Sequence, residues 1–179
     1  MEERTRTTRR LFEGRILALD ILEIERPDGV RASRELVRHA PAVGVLPRLP
    51  DGTFLLVRQF RKAIETELLE ICAGLVDPGE NAEAAARREL AEETGCAATR
   101  LERLGRLYAS PGYTDETVEI FFAECAEPDR PPAPDPDEHV TVQRADAEGI
   151  ETMIRDGRLA DAKSVAAWQL YRMWAGREA

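Results

Sequence analysis

Long apolar runs are missing from this chain of 179 residues. No stretch approaches the roughly 20 consecutive apolar residues that a membrane-spanning helix needs, so the sequence predicts no membrane segment. The composition, with 43% hydrophobic and 33% charged residues, is typical of a soluble globular protein. The length fits one domain that closes its own hydrophobic core.

Cysteine is scarce and odd in number, with Cys72, Cys96 and Cys125 far apart in the chain. This spacing excludes the closely paired cysteines of a zinc ribbon or a redox motif. Reduced thiols in a cytoplasmic protein are the preferred interpretation.

Positively charged residues are also outnumbered. The chain has 25 lysines and arginines against 34 aspartates and glutamates, which gives a formal net charge of −9. This balance argues against a protein whose main task is to bind the backbone of a nucleic acid. A small anionic ligand would therefore need local arginines or a metal ion. The N-terminal MEERTRTTRR is basic but has no apolar segment like that of a signal peptide, and we expect an exposed arm that leads into a strand.

Turn signals divide much of the chain into strand-length pieces that are rich in Leu, Val and Ile. Two of these signals are Pro27-Asp28-Gly29 and Pro50-Asp51-Gly52, and the loop SPGYTDE at residues 110–116 separates two later pieces. The predicted strands are ILALDILEIERP, RELVRHAPAVGVLPRL, GTFLLVRQFR, ETELLEICAG, RLGRLYAS, VEIFFAECA and EHVTVQRA.

Three stretches have helical character. The first should cover about Ala82 to Thr94, because Asn81 is a good N-cap and Gly95 stands where a glycine commonly ends a helix. Two further helices are expected at about Ala147 to Asp156 and Ala162 to Trp174.

Aromatic residues recur every three positions in the last of these helices, at Trp168, Tyr171 and Trp174. The spacing favours packing in the core or at a subunit interface over a ligand site. Ahead of the final strand lies EPDRPPAPDPDE, Glu127 to Glu138, which holds five prolines and no residue that would form core. It predicts a loop of polyproline character, and a loop of this length in a compact domain is often functional.

Three glutamates of the first helix, Glu89, Glu92 and Glu93, share one helix face because they are spaced i, i+3 and i+4. Like charges at this spacing repel one another, so something should compensate them. One interpretation is a solvated face on which Arg87 and Arg88 form ordinary ion pairs. The other is a cation site, because clustered carboxylates are hard oxygen ligands of the kind that Mg²⁺ or Mn²⁺ requires.

The stretch around these acids resembles the motif of the Nudix hydrolase family, G-x5-E-x7-R-E-U-x-E-E-x-G-U, in which U is a bulky apolar residue. The seven fixed identities would match by chance at roughly 10⁻⁸ per starting point. Cys96 at the last U position is a mild departure, because a thiol behaves as a small hydrophobe. The matching residues are Gly74, Glu80, Arg88, Glu89, Leu90, Glu92, Glu93 and Gly95.

The resemblance implies an α/β fold, a Nudix-type α/β/α sandwich around a mixed sheet with an N-terminal antiparallel strand region. It implies that residues 1–40 form an arm and strands that make a dimer, within the same domain as the Nudix hydrolase part at residues 41–179. It also implies structural roles in the motif for Gly74 and Gly95, and a Glu80–Arg88 pair that holds the loop before the helix.

The family cleaves nucleoside diphosphates linked to another group, by attack of water on phosphorus. Carried over to this chain, the resemblance implies that Glu89 and Glu93 bind the metal, that Glu92 is a further or water-mediated ligand with a catalytic part, and that the carbonyl of Ala73 is another ligand. The cofactor would be Mg²⁺, with Mn²⁺ or another divalent cation possible. Such cations neutralise the pyrophosphate and lower the pKa of a bound water.

Features beyond the fixed motif positions resemble the ADP-ribose pyrophosphatase branch, namely a proline sixteen positions after Gly95 in SPGYTDE, the run VRQFR, and the run LLEICAGLVDPGE, which leads into the motif. Arg61 is then expected to bind the diphosphate, because a guanidinium matches phosphate oxygens in pairs, whereas Arg58 is interpreted as ordinary edge-strand charge. Cys72 stands where the branch more often has proline, which leaves the substrate open. The other residues implied to contact substrate, in part across a dimer, are Arg34, Glu35, Arg38, Leu75, Ser110, Pro111, Gly112 and Glu116.

The branch supplies its water-activating glutamate, or an extra metal ligand, from a loop ahead of the last long strand. In this chain that loop is PAPDPDEHV, and Glu138 is the best candidate for either role, with Asp135 and Asp137 as competitors. The two histidines, His39 and His139, are interpreted as structural or surface residues.

The sequence thus predicts Mg²⁺-dependent hydrolysis of ADP-ribose to AMP and ribose 5-phosphate by a cytoplasmic homodimer whose partner is a small nucleotide sugar, with neither nucleic acid nor membrane involved. Other nucleoside diphosphate sugars, such as ADP-linked sugars, GDP-mannose or UDP-glucose, are the alternative substrates. Two alternatives belong to other classes: a Nudix-fold sensor that binds ADP-ribose without cleaving it, and a purely structural acidic helix that needs no metal.

Overall fold

A computed structural model describes residues 2–133 and 139–178, in which ten strands and three α-helices form. They fall into two compact units, one made of the chain up to Pro41 together with Tyr108–Thr117, and one made of Ala42–Leu107 and Val118–Ala179. The elements are β1 (Arg4–Glu13), β2 (Leu17–Glu25), β3 (Arg31–His39), β4 (Ala42–Arg48), β5 (Phe54–Arg61), a 3-10 turn (Lys62–Ile64), β6 (Thr66–Glu70), β7 (Cys72–Leu75), α1 (Ala82–Thr94), β8 (Ala98–Tyr108), β9 (Thr117–Cys125), β10 (Val140–Ala145), α2 (Ala147–Arg155) and α3 (Ala162–Glu178).

The first unit contains an antiparallel sheet of β1, β2 and β3, with β2 in the centre. Every residue of β1 is exposed. The stretch expected to be an exposed arm leading into a strand is exposed, as predicted, but from Arg4 onward it is already the strand β1. Threonines in β1 favour extended backbone, and Arg6 binds Glu25 across the strand pair, Nη2 to Oε1 at 2.8 Å. A strand with polar residues on both faces lacks the apolar alternation that reveals strands in a sequence.

The SPG loop, residues 110–116, runs beside β3 within the same unit. The N–H of Val37 donates to the carbonyl of Tyr113 at 2.7 Å, and the N–H of Asp115 donates back to the carbonyl of Val37 at 3.2 Å. These two bonds make the loop a short parallel extension of the three-stranded sheet.

The second unit is built on a sheet with the order β10-β5-β4-β9-β8, to which β6 adds on β5 and β7 adds on β4. The sheet is mixed, as predicted, because β4 and β9 are parallel while the pairs β4–β7, β5–β6 and β5–β10 are antiparallel. The stretch ETELLEICAG, predicted as one strand, is two strands. They are divided at Ile71, where the chain leaves β5 as its pairing partner and joins β4.

Helices cover both faces of this sheet, because alternate residues of a buried strand point to opposite sides. On one side, Val43 of β4 packs in a buried cluster with Leu90 of α1. On the other side, Leu46 of β4 packs in a second cluster with Ile150 of α2 and Trp168 of α3. The α/β sandwich around a mixed sheet is therefore confirmed.

The aromatic residues of α3 lie in the second of these clusters. Trp168 and Tyr171 are 5% and 7% exposed, and their rings stand 5.2 Å from the ring of Phe54, edge to face. Core packing, one of the two predicted roles, accounts for their spacing. The helix continues past the predicted end at Trp174 to Glu178, and Gly176 lies within its last turn.

All three cysteines are free and buried. Burial raises the pKa of the Cys96 thiol and that of the Cys125 thiol, the latter to about 12. Among the residues that the structure describes, no helix is both long and apolar enough to cross a membrane.

Candidate active site

Helix α1 carries the clustered acids, and its two ends lie where the sequence predicts. The side chain of Asn81 accepts the N–H of Ala84 at 2.9 Å, a cap of a kind that stabilises a helix by about 1 kcal/mol. At the other end Gly95 has φ of 71° and donates its N–H to the carbonyl of Ala91. A side chain at Gly95 would also collide with the carbonyl oxygen of Arg130, since a Cβ there would stand 2.1 Å from it.

Strand β7 lies directly against the acidic face of α1. A Cβ on Gly74 would stand 2.0 Å from the carboxyl carbon of Glu89, so only glycine leaves room for that carboxylate. One residue earlier, the N–H of Ala73 donates to Oε2 of Glu93 at 3.0 Å, and Glu93 is 2% exposed. The motif glycine and two motif acids are thus brought together by backbone proximity.

Arg88 joins the loop before α1 to the acids on its surface. Its Nε and Nη2 donate to the two oxygens of Glu80 at 3.2 and 3.0 Å, and Nη2 also donates to the carbonyl of Leu75 at 2.9 Å. The hydrogen bonds from Arg88 lower the pKa of the Glu80 carboxyl. Nη1 of Arg88 donates to Glu89 at 2.6 Å and to Glu92 at 3.1 Å.

The chemistry of this donor set fits a divalent cation. Glu89 and Glu92 approach closely enough to share one cationic nitrogen of Arg88, and every side-chain ligand offered is a carboxylate oxygen, which Mg²⁺ and Mn²⁺ prefer. Within residues 2–133 and 139–178, no three acidic, histidine or cysteine side chains already converge as a metal cluster. Arg88 and the N–H of Ala73 hold the carboxylates instead.

Arg61, predicted to bind the diphosphate, is bound to a buried acid. Its Nε and Nη2 donate to Oε1 and Oε2 of Glu70 at 2.7 and 2.6 Å, and Glu70 is 1% exposed. Lys163 at the start of α3 binds the same carboxylate. Burial acts to raise the pKa of Glu70, but Arg61 and Lys163 outweigh it and the pKa is lowered.

The predicted substrate residues of the first unit are only partly gathered. Arg38 lies between two acids, with Nε donating to Asp20 at 3.1 Å and Nη1 donating to Asp115 of the SPG loop at 2.9 Å. Arg34 binds Glu3 instead. Glu35 lies on the opposite face of β3 from both arginines, because strand residues alternate. The remaining members, Ser110, Pro111, Gly112 and Glu116, lie in or beside the loop that runs along β3.

The proline-rich loop is described as far as Ala133, whose N–H donates to the carbonyl of Glu92 at 2.7 Å. Glu138, with its competitors Asp135 and Asp137, lies outside the described residues. Of the two histidines, His39 contacts the carbonyl of Ala40 through Nδ1 at 2.8 Å, in keeping with a structural role.

Sequence reasoning did not single out three buried acids, Asp20, Glu70 and Glu119, each held by two cationic side chains. A signal was present, because each acid interrupts an otherwise apolar strand pattern, as Glu119 does between Val118 and Ile120. An acid at a buried strand position requires a cationic partner, but sequence spacing does not say which one.

Comparison with known proteins indicates one family. The chain matches the family model described as NUDIX domain over residues 38–168. It is 36% identical to the ADP-ribose pyrophosphatase of Bacillus subtilis (strain 168) over 174 residues, which cover 97% of this chain and 94% of the relative. It is 35% identical over 158 residues to a GDP-mannose pyrophosphatase of Klebsiella pneumoniae, covering 82% and 79% of the two chains.

Among solved structures, one described as an ADP compounds hydrolase superimposes with a TM-score of 0.87 at 26% identity. The superposition covers 99% of this chain and 96% of the other.

Proposed function

This chain belongs to the NUDIX family, and we propose that it hydrolyses the pyrophosphate bond of ADP-ribose to give AMP and ribose 5-phosphate. As a Nudix hydrolase it acts on pyrophosphate bonds. The observation that carries the proposal is the fit of β7 against α1, where Glu89 fills the space beside Gly74 and Glu93 accepts the N–H of Ala73. ADP-ribose is supported as substrate by the similarity to the Bacillus ADP-ribose pyrophosphatase and to the ADP compounds hydrolase.

Hydrolases of this kind need a divalent cation, and we assign Mg²⁺ to this chain. The residues that would hold it are Glu89, Glu92 and Glu93, with the carbonyl of Ala73. When bound, the cation neutralises pyrophosphate charge and lowers the pKa of a water. The protein's own contribution is to hold the carboxylates in place, through the space at Gly74 and the N–H of Ala73.

Arg61 is proposed to orient the diphosphate, and Glu138 to accept the proton of the attacking water. The water oxygen forms a bond to phosphorus while the bond from that phosphorus to the bridging oxygen breaks. The bridging oxygen leaves with the second phosphate, so the products are two monophosphates. A glutamate within hydrogen-bond reach of such a water is a suitable general base.

We also propose a homodimer, in which the first unit contributes Arg34, Glu35 and Arg38 to substrate binding across the subunits. The exposed apolar residues Leu11 and Phe12 of β1 support this, since they are 48% and 56% exposed and such side chains are common in subunit contacts. Light scattering on the purified protein measures the mass, and a monomer at micromolar concentration would contradict the homodimer.

Free thiols in the core suit a reducing compartment such as the cytoplasm.

The second candidate is a hydrolase of another nucleoside diphosphate sugar. Cys72 at a position where the ADP-ribose branch more often has proline, and the similarity to a GDP-mannose pyrophosphatase, favour it. Only the specificity ratio between substrates separates the two proposals, because the carboxylate helix serves both equally.

The deciding experiment measures release of the nucleoside monophosphate with Mg²⁺, which is AMP from ADP-ribose, ADP-glucose and NADH, GMP from GDP-mannose and UMP from UDP-glucose. The highest kcat/KM for ADP-ribose supports the proposal, and a higher value for GDP-mannose selects the alternative. Tight binding of ADP-ribose by calorimetry without product would indicate a sensor. Absence of both binding and metal dependence would leave a structural acidic helix.

A further inference from the structure

Glu70 is the most deeply buried acid near the proposed site, and neither the motif nor the SPG loop gives it a role. At 1% exposure it binds two cationic side chains, Arg61 from the end of β5 and Lys163 from the start of α3. A buried carboxylate costs a large solvation free energy unless it is paired. Stability alone does not explain a glutamate at this position, because a buried ion pair contributes little net stability compared with apolar residues.

The geometry of the Arg61–Glu70 pair leaves one side of the guanidinium available. Nε and Nη2 of Arg61 are engaged by the two carboxylate oxygens of Glu70, whereas Nη1 donates no hydrogen bond to any residue that the structure describes. The side chain is 40% exposed. An arginine fixed along one edge can present its remaining N–H groups in a set direction, which a lysine cannot do.

The start of α3 fixes Glu70 in turn. Asp161 accepts hydrogen bonds from Lys163 at 3.0 Å and from the hydroxyl of Ser164 at 2.6 Å. The oxygen of that hydroxyl accepts the N–H of Ile71 at 2.8 Å, and Ser164 is fully buried. One cluster therefore anchors both the carboxylate of Glu70 and the point where β6 passes into β7.

This cluster lies next to the proposed metal ligands along the chain and in space. Ile71 precedes Ala73 by two residues, so its anchored N–H fixes the chain just before β7, the strand that carries the proposed carbonyl ligand. The carboxylate of Glu93 is close enough to be one of the charges that raise the pKa of Arg61, after Glu70 as the main cause. Arg61 thus lies within electrostatic reach of the acidic face of α1.

We propose that Glu70 is a positioning residue for the hydrolysis, which holds Arg61 so that its free Nη1 edge meets the diphosphate, while Lys163 and Asp161 hold Glu70 itself. The inference rests on the proposed function, since it takes Arg61 as a diphosphate ligand. It implies that the identity of a residue at the start of α3 affects substrate affinity without contact between that residue and substrate.

The test is a double-mutant cycle on KM and kcat for ADP-ribose with Mg²⁺, with Arg61→Ala, Glu70→Gln and the double variant. Loss of orientation should lower kcat/KM of Glu70→Gln by about 10- to 100-fold, mainly through KM. The double variant should be no worse than Arg61→Ala alone, because Glu70 acts only through Arg61. An unchanged KM in Glu70→Gln, or effects that multiply in the double variant, would overturn the inference.

Glu119→Gln is the matched control, because Glu119 is another buried acid held by two arginines, Arg103 and Arg106. It should lower the melting temperature without changing KM or coupling to Arg61→Ala. A rise in KM equal to that of Glu70→Gln would show a general effect of lost buried charge and reject the positioning role.

Glu70→Asp covers the case in which Glu70→Gln does not fold. It keeps the charge beside Lys163 but withdraws the carboxylate from Arg61 by about one bond length, so KM should rise while the fold is kept. An unchanged KM contradicts the inference.

A wild-type protein that releases no AMP would reject the proposed function alone. The affinity of the same variants for ADP-ribose is then measured by calorimetric titration, in EDTA so that no divalent cation is present. The weakening by Glu70→Gln should vanish in the Arg61→Ala background, and its persistence there would overturn the inference separately.

Discussion

The carboxyl carbon of Glu89 lies 2.0 Å from the point where a Cβ on Gly74 would stand. Gly74→Ala should therefore displace Glu89 from β7. We expect AMP release to fall by about 100-fold, since an error of about 1 Å in a catalytic group has effects of this size. Steady-state assays at saturating Mg²⁺ measure the loss.

Gly176→Ala is the control for this change, because Gly176 lies in α3 with nothing within 4 Å of its added Cβ. It should keep full activity and slightly raise the melting temperature, as alanine is the better helix former. A Gly74→Ala protein with wild-type kcat would disprove the role of the space beside Gly74.

Glu93→Gln tests the metal assignment with little change in shape. The amide oxygen of glutamine can still accept the N–H of Ala73, so the fold should persist while one charged ligand is lost. We expect the Mg²⁺ concentration for half-maximal activity to rise by about 100-fold or more. Loss of a residue that only supports a metal ligand raises it by about 10- to 100-fold. Glu83→Gln, on the exposed side of α1 beside Arg87, should leave the Mg²⁺ titration unchanged, and full activity of Glu93→Gln would exclude the assignment.

Glu80→Gln should loosen the loop between β7 and α1. The variant weakens the paired hydrogen bonds from Arg88 to Glu80 and the bond to the N–H of Asp77. Amide hydrogen exchange in residues 76–81 should become faster, while exchange in the middle of α1 stays slow because that part is buried. Exchange at wild-type rates throughout the loop would show that the pair does not hold it.

Acid stability should report on the buried carboxylate of Glu119. Burial acts to raise the pKa of Glu119, but Arg103 and Arg106 lower it by more than burial raises it. The pKa in the folded protein therefore lies below the usual 4.5. The ionised form is therefore favoured by folding, and its stabilisation is present above about pH 4.5 and lost as the pH falls through the folded pKa. The difference in unfolding free energy between wild type and Glu119→Gln, from urea titrations, should shrink below that pH; a constant difference would contradict this.

Glu138→Gln tests the proposed general base. We expect kcat to fall by about 100- to 10,000-fold, the range for loss of acid–base catalysis, with little change in KM. Asp135→Asn and Asp137→Asn change neighbouring acids of the same loop and should retain most activity. A larger loss in either of them would transfer the role to that aspartate.

Local signals predicted much of this fold because they act within a few residues. Asn81 and Gly95 mark the ends of α1 through cap geometry that depends on neighbouring residues alone. The division of ETELLEICAG at Ile71 could not be seen, because it depends on which distant strand each half pairs with. Propensity is similar on both sides of such a break.

The candidate site likewise has a part that local sequence predicts and a part that it does not. The i, i+3, i+4 spacing is enough to place Glu89, Glu92 and Glu93 on one helix face, because it depends only on the helical repeat. The second partner of Glu70 could not be read from the chain, since Lys163 and Glu70 are 93 positions apart and meet only when α3 docks beside the end of β6. Long-range ion pairs depend on tertiary packing, and sequence spacing does not encode them.

The buried cysteines make this protein suitable for site-specific labelling. Cys72, Cys96 and Cys125 are shielded, and the raised pKa values keep them as thiols at neutral pH, whereas maleimide dyes react with exposed thiolates. A single cysteine introduced at exposed Asp129 would then carry the only dye. Fluorescence from that one position could follow the proline-rich loop during turnover without removal of any native residue from the core.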